Sequence, residues 1–485
     1  MPIGPLDLAL VAAYLLGMIA LGVWLGRGQR TAKDYLLGGR DLPWWALLVS
    51  IVATETSTVT FLSVPGQPFG DGLAGSPGDL RFLQLPLGFV VGRVIAAHWL
   101  LPLYFRGELH TAYEALQQRF GGLVRGIAGG LFLVMRTFAD GLRLYLTALV
   151  LEQLAGMPRD VAVVVTGAST LVYTFFGGVR AVVWTDVLQF AIYMLGALVA
   201  AGMLLASFGA EPWPADTAAH LRVFDFSFDL ANGRTFWAGL FGGAFLSLGT
   251  HGVDQLVVQR YLCARSPRDA QRALVLSGVV VLLQFALFLG IGLLLWRFYR
   301  EHPPAQPFAN GDEVFVDFLV HQMPNGLRGL VLGAVFAAAM STLSGSLNSS
   351  AATLVHDILL PLRRRRADDA AAFGLARGAT LLFGGLQIAV AVAWSGTQSV
   401  VDQVFGIASF TTGILLGLFA LARLRAAAPA MALCGLCGGA LVTDGLWAAS
   451  PWPIASLWFG AIGALGTFAC GAVAGRFAPR PVAPR

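Results

Sequence analysis

Long apolar runs alternate along this chain with short polar stretches, and the runs have the length of bilayer crossings. Thirteen of them are long enough to span about 30 Å of hydrocarbon as helices. They lie near 5–25, 43–64, 80–104, 121–152, 159–178, 184–207, 236–260, 270–297, 326–356, 372–395, 398–422, 427–447 and 453–475. The pattern predicts an all-α membrane protein of about 13 transmembrane helices, with no separate soluble domain. The run 5–25 has no small-residue cleavage site after it, so it reads as a spanning helix rather than a signal peptide. Two stretches, 208–235 and 298–325, are long and mix Pro, Trp or Phe with polar residues, which predicts short surface helices or lids.

Three runs depart from the apolar pattern at their centres. The run 43–64 carries Ala53-Thr54-Glu55-Thr56-Ser57-Thr58-Val59-Thr60 and then Val64-Pro65-Gly66. Six polar side chains in eight residues cannot face lipid, and their hydroxyls compete for backbone hydrogen bonds, so the helix is expected to break there. The run 236–260 has a similar interruption at Gly249-Thr250-His251-Gly252-Val253-Asp254-Gln255. If 5–25 is an extra helix, the two interrupted runs stand five helices apart. Matching breaks in two halves are the sequence mark of an inverted-repeat transporter with a midplane site; a pair of tolerated kinks is the alternative. The run 326–356 holds Ala338, Ser341, Thr342, Ser344 and Gly345. Neighbouring hydroxyls at Ser341 and Thr342, with carbonyls from an unwound helix, suit a hard monovalent cation, since a divalent ion would ask for more carboxylates. Small-residue helix packing explains the same residues equally well.

Composition agrees with lipid as the solvent: 56% of residues are hydrophobic and 12% charged, with 59 glycines, against roughly a quarter charged in soluble domains. The net charge of +5 is not a nucleic-acid signal, because the basic residues sit in loops. Of the 32, 22 fall in alternate loops and the tail, including Arg260, Arg363 to Arg366, Arg425, Arg480 and Arg485, and six fall in the opposite loops. That asymmetry predicts a multi-pass protein of the cell (inner) membrane with its N-terminus outside and its C-terminus in the cytoplasm. The Arg363–Arg366 run reads as a stop signal beside anionic lipid. Cys263, Cys434, Cys437 and Cys470 lie in or beside apolar runs; the Cys434–Cys437 spacing lacks a second ligand pair and reads as packing.

The motifs Ala53-Thr54-Glu55-Thr56-Ser57 with Phe61-Leu62-Ser63-Val64-Pro65-Gly66, Tyr173-Thr174-Phe175-Phe176-Gly177-Gly178-Val179 with Trp184-Thr185-Asp186, Gly252-Val253-Asp254-Gln255 with Val258-Gln259-Arg260-Tyr261-Leu262, and Ala338 to Thr342 occur in order. So does the loop Phe105-Arg106-Gly107 to Thr111-Ala112-Tyr113-Glu114 with Arg119-Phe120. Together they resemble the sodium:solute symporter family, which includes sodium-coupled sugar, proline, sialic acid, iodide and monocarboxylate transporters, over about 5–475. The resemblance implies a leucine-transporter-like core of 5+5 inverted-repeat helices in a single domain spanning 1–485. In it, 5–25 is an extra helix, 43–207 the first repeat, 236–422 the second, and 427–475 two C-terminal helices. It implies Na+ as the coupling ion and no organic cofactor. The main sodium site maps to Ala53, Thr56, Ala338, Ser341 and Thr342. Asp186 and Ser344 match a second sodium site found in some members, but Gly345 stands where another hydroxyl is expected. One sodium per cycle is therefore the default, and Asp186 is alternatively a structural charge.

Candidate solute-binding residues are Glu55, Ser57, Thr58 and Thr60 from the first interrupted run, Gln84, and Asp254 and Gln255 from the second. Arg136, Asp140 and Arg143, spaced four and three apart, share one helix face. A guanidinium pairs well with a carboxylate, so Arg143 or Arg136 is a candidate anchor for an organic acid. The alternative is that Arg143 pairs only with Glu55 or Asp140. The resemblance adds that sugar-carrying members have neutral amides where Glu55 and Asp254 stand. The expected partners are a small polar solute and the lipid bilayer, with no nucleic acid and no particular oligomeric state implied. An organic acid is favoured, with a sugar, polyol or amino acid as alternatives. A non-transporting solute sensor has no signalling domain in the ten-residue tail. An enzyme is disfavoured by the lone histidines His251 and His356 and the lack of a nucleophile–base pair.

Overall fold

The computed structural model describes residues 4–69, 78–107, 109–209, 213–304, 308, 311–363, 369–394, 400–424, 428–449 and 453–477. Among them the regular structure is helical, apart from one isolated bridge between Leu42 and Ala264. Nine helical stretches among these residues are long and apolar enough to cross a bilayer. One of them, Arg159–Ser207, has 49 residues, far more than one crossing needs. The broken runs and Val400–Leu421 make up the rest of the expected set. The basic run Arg364–Arg366 and the residues Arg425, Arg480 and Arg485 lie outside the described residues.

Sequence reading placed a loop between 178 and 184, but the turn is made within the helical stretch by Gly178 alone. Its φ of 55° and ψ of −162° are open only to glycine, and a Cβ there would lie 2.5 Å from the carbonyl oxygen of Tyr35. The 298–325 stretch also differs from a surface lid. Its helix Asp312–His321 buries Val314, Phe315 and Phe318, and the Phe315 ring meets Phe61 edge-on at 5.7 Å.

Helix Trp44–Glu55 ends where the hydroxyl-rich cluster begins, and a second segment, Thr58–Ser63, follows Thr56 and Ser57. The Ser57 amide donates to the Glu55 carbonyl at 3.0 Å instead of reaching back four residues to Ala53. That exchange leaves the Ala53 carbonyl free of the helix ladder. The second broken run is a wide turn at Ala238–Gly242, then Gly243–Gly252, then Gln255–Leu262. Asp254 at the break caps the last segment, accepting the Leu256 amide at 2.8 Å.

The helix Leu327–Thr353 lies at the centre. In its apolar window 94% of residues are buried, against 11% for Pro5–Leu25, whose Leu6, Leu8, Leu16 and Trp24 face outward. A helix so enclosed can carry a polar face through a bilayer, because its hydroxyls meet protein rather than lipid. Close approach of backbones holds the broken runs to their neighbours: a Cβ on Gly88 would sit 2.2 Å from the Gly239 carbonyl oxygen.

Candidate functional site

The Ala53 carbonyl released by the break is met by the central helix. The Ser341 hydroxyl lies 2.9 Å from it and 3.1 Å from the Ala338 carbonyl, so three neutral oxygens of the expected sodium site converge. The Thr342 hydroxyl bonds to the Thr54 carbonyl at 3.0 Å, one residue along the same strip of exposed backbone. The Thr56 hydroxyl is directed elsewhere, to the Val52 carbonyl at 2.9 Å and the Gln284 amide oxygen at 3.1 Å. The donor set is uncharged and made of oxygen, which fits a hard monovalent ion. The C-terminal pole of a twelve-residue helix adds negative potential at the same point.

Asp186 and Ser344 are deeply buried nearby. One Asp186 oxygen, Oδ2, accepts from Ser50, Thr54 and, at 3.1 Å, from Arg260. The Ser344 hydroxyl is turned to the Ser341 carbonyl at 3.2 Å. Arg260 was read from the sequence as a loop charge marking topology, yet it is 1% exposed and lies inside the bundle. Its guanidinium fills the space at Gly345, where a Cβ would come 2.7 Å from Nη2. A fixed cation thus faces Asp186.

Beside these groups a cavity of about 640 Å³ runs between the broken helices, within the size range of small-molecule sites. Glu55, Ser57, Thr60, Gln84, Arg136, Arg143 and Asp254 line it, together with His251 and Thr54. Two expectations, Gln255 and Thr58, need correction. Gln255 accepts the Ala112 amide at 2.7 Å and is held in the loop packing, away from the cavity wall. Thr58 bonds to Thr147 at 3.2 Å, behind the wall. Gln84 lines the cavity, but its amide is committed to the Arg81 and Arg234 carbonyls and the Asp225 amide.

Glu55 does not pair with Arg143. Its partner is Arg93, a fully buried arginine that also donates to the Ser277 hydroxyl at 2.8 Å, and His251 Nε2 stands 3.6 Å from the same carboxylate. Sequence reading passed over Arg93 and set His251 aside as a lone histidine; a charge in the middle of an apolar run was the signal. Asp140 is shared between Arg136 at 2.7 Å and Arg143 at 2.8 Å, and Arg136 also comes within 3.5 Å of Asp254. One guanidinium nitrogen of Arg136, Nη2, is buried without a hydrogen-bond partner. Toward the loops Arg81 clasps Asp79 at 2.6 Å and Asp225 at 2.9 Å. The Ser227 hydroxyl and amide, with Arg81 and Arg222 beside them, hold Asp225 below the usual carboxylate range.

The sequence profile of the sodium:solute symporter family matches residues 35–438. The sodium-coupled monocarboxylate transporter 1 of Mus musculus is 31% identical over 91% of this chain and 72% of its own length. The sodium/sialic acid symporter of Proteus mirabilis is 28% identical over 86% of this chain and 84% of its own. The solved structure of a Na+-coupled sialic acid symporter, substrate-bound and outward-open, superposes with a TM-score of 0.87 at 25% identity, covering 98% of both chains. That likeness makes the fold leucine-transporter-like, as the family resemblance implied. With the profile match over most of its length, the chain belongs to the sodium:solute symporter family, multi-pass membrane transporters that couple solute movement to sodium.

Proposed function

We propose that this chain imports a small organic acid together with sodium, with Arg136 and Arg143 receiving the carboxylate. The observation that carries this is that Arg136 and Arg143 both line the cavity, with the Arg143 side chain 22% exposed. A guanidinium open to the cavity offers a carboxylate charge-assisted hydrogen bonds in a fixed fork geometry. Monocarboxylates and sialic acid, the solutes for which these relatives are named, carry a carboxylate and agree with this chemistry. Glu55 and Asp254 on the same wall favour one second reading, a zwitterion whose ammonium faces them. Uptake into proteoliposomes decides between them. A panel of hydroxy acids, sugars and amino acids is offered under an inward sodium gradient, and sodium-driven uptake confined to neutral solutes refutes the carboxylate anchor.

Sodium bound by Ala53, Thr56, Ala338, Ser341 and Thr342 would tie the central helix to the broken one and favour the solute-ready state. In that scheme the ion shifts a population between states rather than pushing the solute. Asp186 is already faced by Arg260, so the reading is one sodium per cycle, with Asp186 and Ser344 structural. The arrangement of the chain is read as an extra helix at 5–25, repeats at 43–207 and 236–422, and two C-terminal helices at 427–475. The loops near 231–234 and 455–457, which line the cavity, are assigned to the outside with the N-terminus, and the C-terminus to the cytoplasm of the inner membrane.

A further inference from the structure

Outside the cavity lining, His110, Glu114 and His356 bring their ligand atoms within 4.8 Å of one another. His110 lies in the loop before the short helix Glu114–Phe120, Glu114 opens that helix, and His356 sits in the wide turn Leu354–Leu359 that ends the central helix. The two imidazoles stack with centroids 4.4 Å apart and planes 17° from parallel. His356 is only 9% exposed, and its Nε2 has no hydrogen-bond partner. A buried ring nitrogen left without a partner, in reach of a second imidazole and a carboxylate, calls for a ligand.

We infer that these three residues bind a divalent ion of the zinc class. Two imidazoles and one carboxylate are a set that such an ion takes readily, and a fourth position stays open for water. Zinc–ligand bonds of about 2.0–2.2 Å put tetrahedral donors roughly 3.4 Å apart, so the three side chains close by about 1 Å on the metal. The surroundings are arranged for it. Arg125 holds Glu114 Oε1 at 2.7 Å and the His110 amide holds Oε2 at 2.7 Å, fixing the carboxylate. Arg125 also donates to Asp357 Oδ1 at 2.6 Å, which Thr111 shares, while Asp357 Oδ2 is buried without a partner. Bound metal joins the 105–120 loop to the same helix that carries Ser341 and Thr342. Where the chain transports by moving that helix, metal on this face slows it; this consequence alone rests on the proposed function.

The test uses purified full-length protein stripped with chelator, with ZnCl2 as the probe. Cys434→Ser, Cys437→Ser and Cys470→Ser are introduced first so that thiols do not contribute. Calorimetry is expected to give one zinc per chain, with no equivalent binding of Mg2+, and H110Q and H356Q each to weaken it on the order of tenfold or more. Loss of zinc-dependent thermal stabilisation accompanies the loss of binding. His110 is half-exposed on a loop, so H110Q reports even if H356Q fails to fold. Absence of saturable zinc binding, or binding unchanged in H110Q, overturns the site. Zinc binding that leaves solute uptake unchanged when the metal faces this loop in proteoliposomes overturns the slowing.

Discussion

Arg93 closes its guanidinium on the carboxylate of Glu55, the last residue before the first helix breaks. The pair is inside the bundle, with Arg93 fully buried and Ser277 and His251 on either side. Breaking a buried pair from one side leaves an uncompensated charge, at a cost of roughly 3–5 kcal/mol. Arg93→Met alone should therefore lower thermal stability in detergent sharply. The double variant Arg93→Met with Glu55→Gln should recover most of the loss. A double variant no more stable than the single one would mean that Arg93 acts through packing alone.

The neutral oxygens at Ser341 and Thr342 predict a change in sodium dependence with little change in solute recognition. Each of Ser341→Ala and Thr342→Ala should raise the half-saturating sodium concentration by about tenfold, the equivalent of one lost hydrogen-bonding oxygen. Uptake measured against sodium at fixed solute checks this, and an unchanged sodium curve in both variants removes these residues from the ion site.

At the cavity wall, Arg143→Gln and Arg136→Gln should each raise KM for the carboxylate solute by roughly 10- to 100-fold, as expected for a charge-assisted hydrogen bond. The methyl ester of the same solute should lose affinity for the wild type and lose little more in the variants. Equal losses for acid and ester would assign the arginines to holding Asp140.

Gly345 predicts a steric effect. Its replacement by Ala or Ser puts a Cβ 2.7 Å from Arg260 Nη2, and overpacking of this kind costs about 1–3 kcal/mol. A fall in melting temperature for Gly345→Ala, smaller in an Arg260→Lys background, is the expected result. A Gly345→Ser variant as stable as the wild type would show that the guanidinium moves aside at no cost.

The spans and both breaks were legible because lipid punishes every polar group it touches, so Thr54 to Thr60 and Gly249 to Gln255 stand out against their surroundings. The convergence of Ala53, Ala338 and Ser341 was readable through family resemblance; the residues alone left a cation cage and helix packing equally open. Pairings across the bundle were not legible. Glu55 meets Arg93 rather than Arg143 because the choice depends on which helices become neighbours, and periodicity within one helix carries no record of that. Arg260 misled for a related reason: the charge count treats an arginine near a span end as solvated, whereas Asp186 draws this one inward. Gly178 was hidden because a single residue, with no loop around it, makes the turn.

The exchange of the Ser57 amide from Ala53 to Glu55 bears on how easily a cation arrives and departs. The Ala53 carbonyl already accepts the hydroxyl hydrogen of Ser341, so the broken helix stays satisfied when no ion is bound. On the proposed reading, a sodium ion entering the oxygens around Ala53 would compete with that internal hydrogen, and on its departure a simple rotation of one hydroxyl would restore the bond. Affinity is then a difference between two comparable states, and such a balance lets a carrier release its driving ion quickly enough to begin another round.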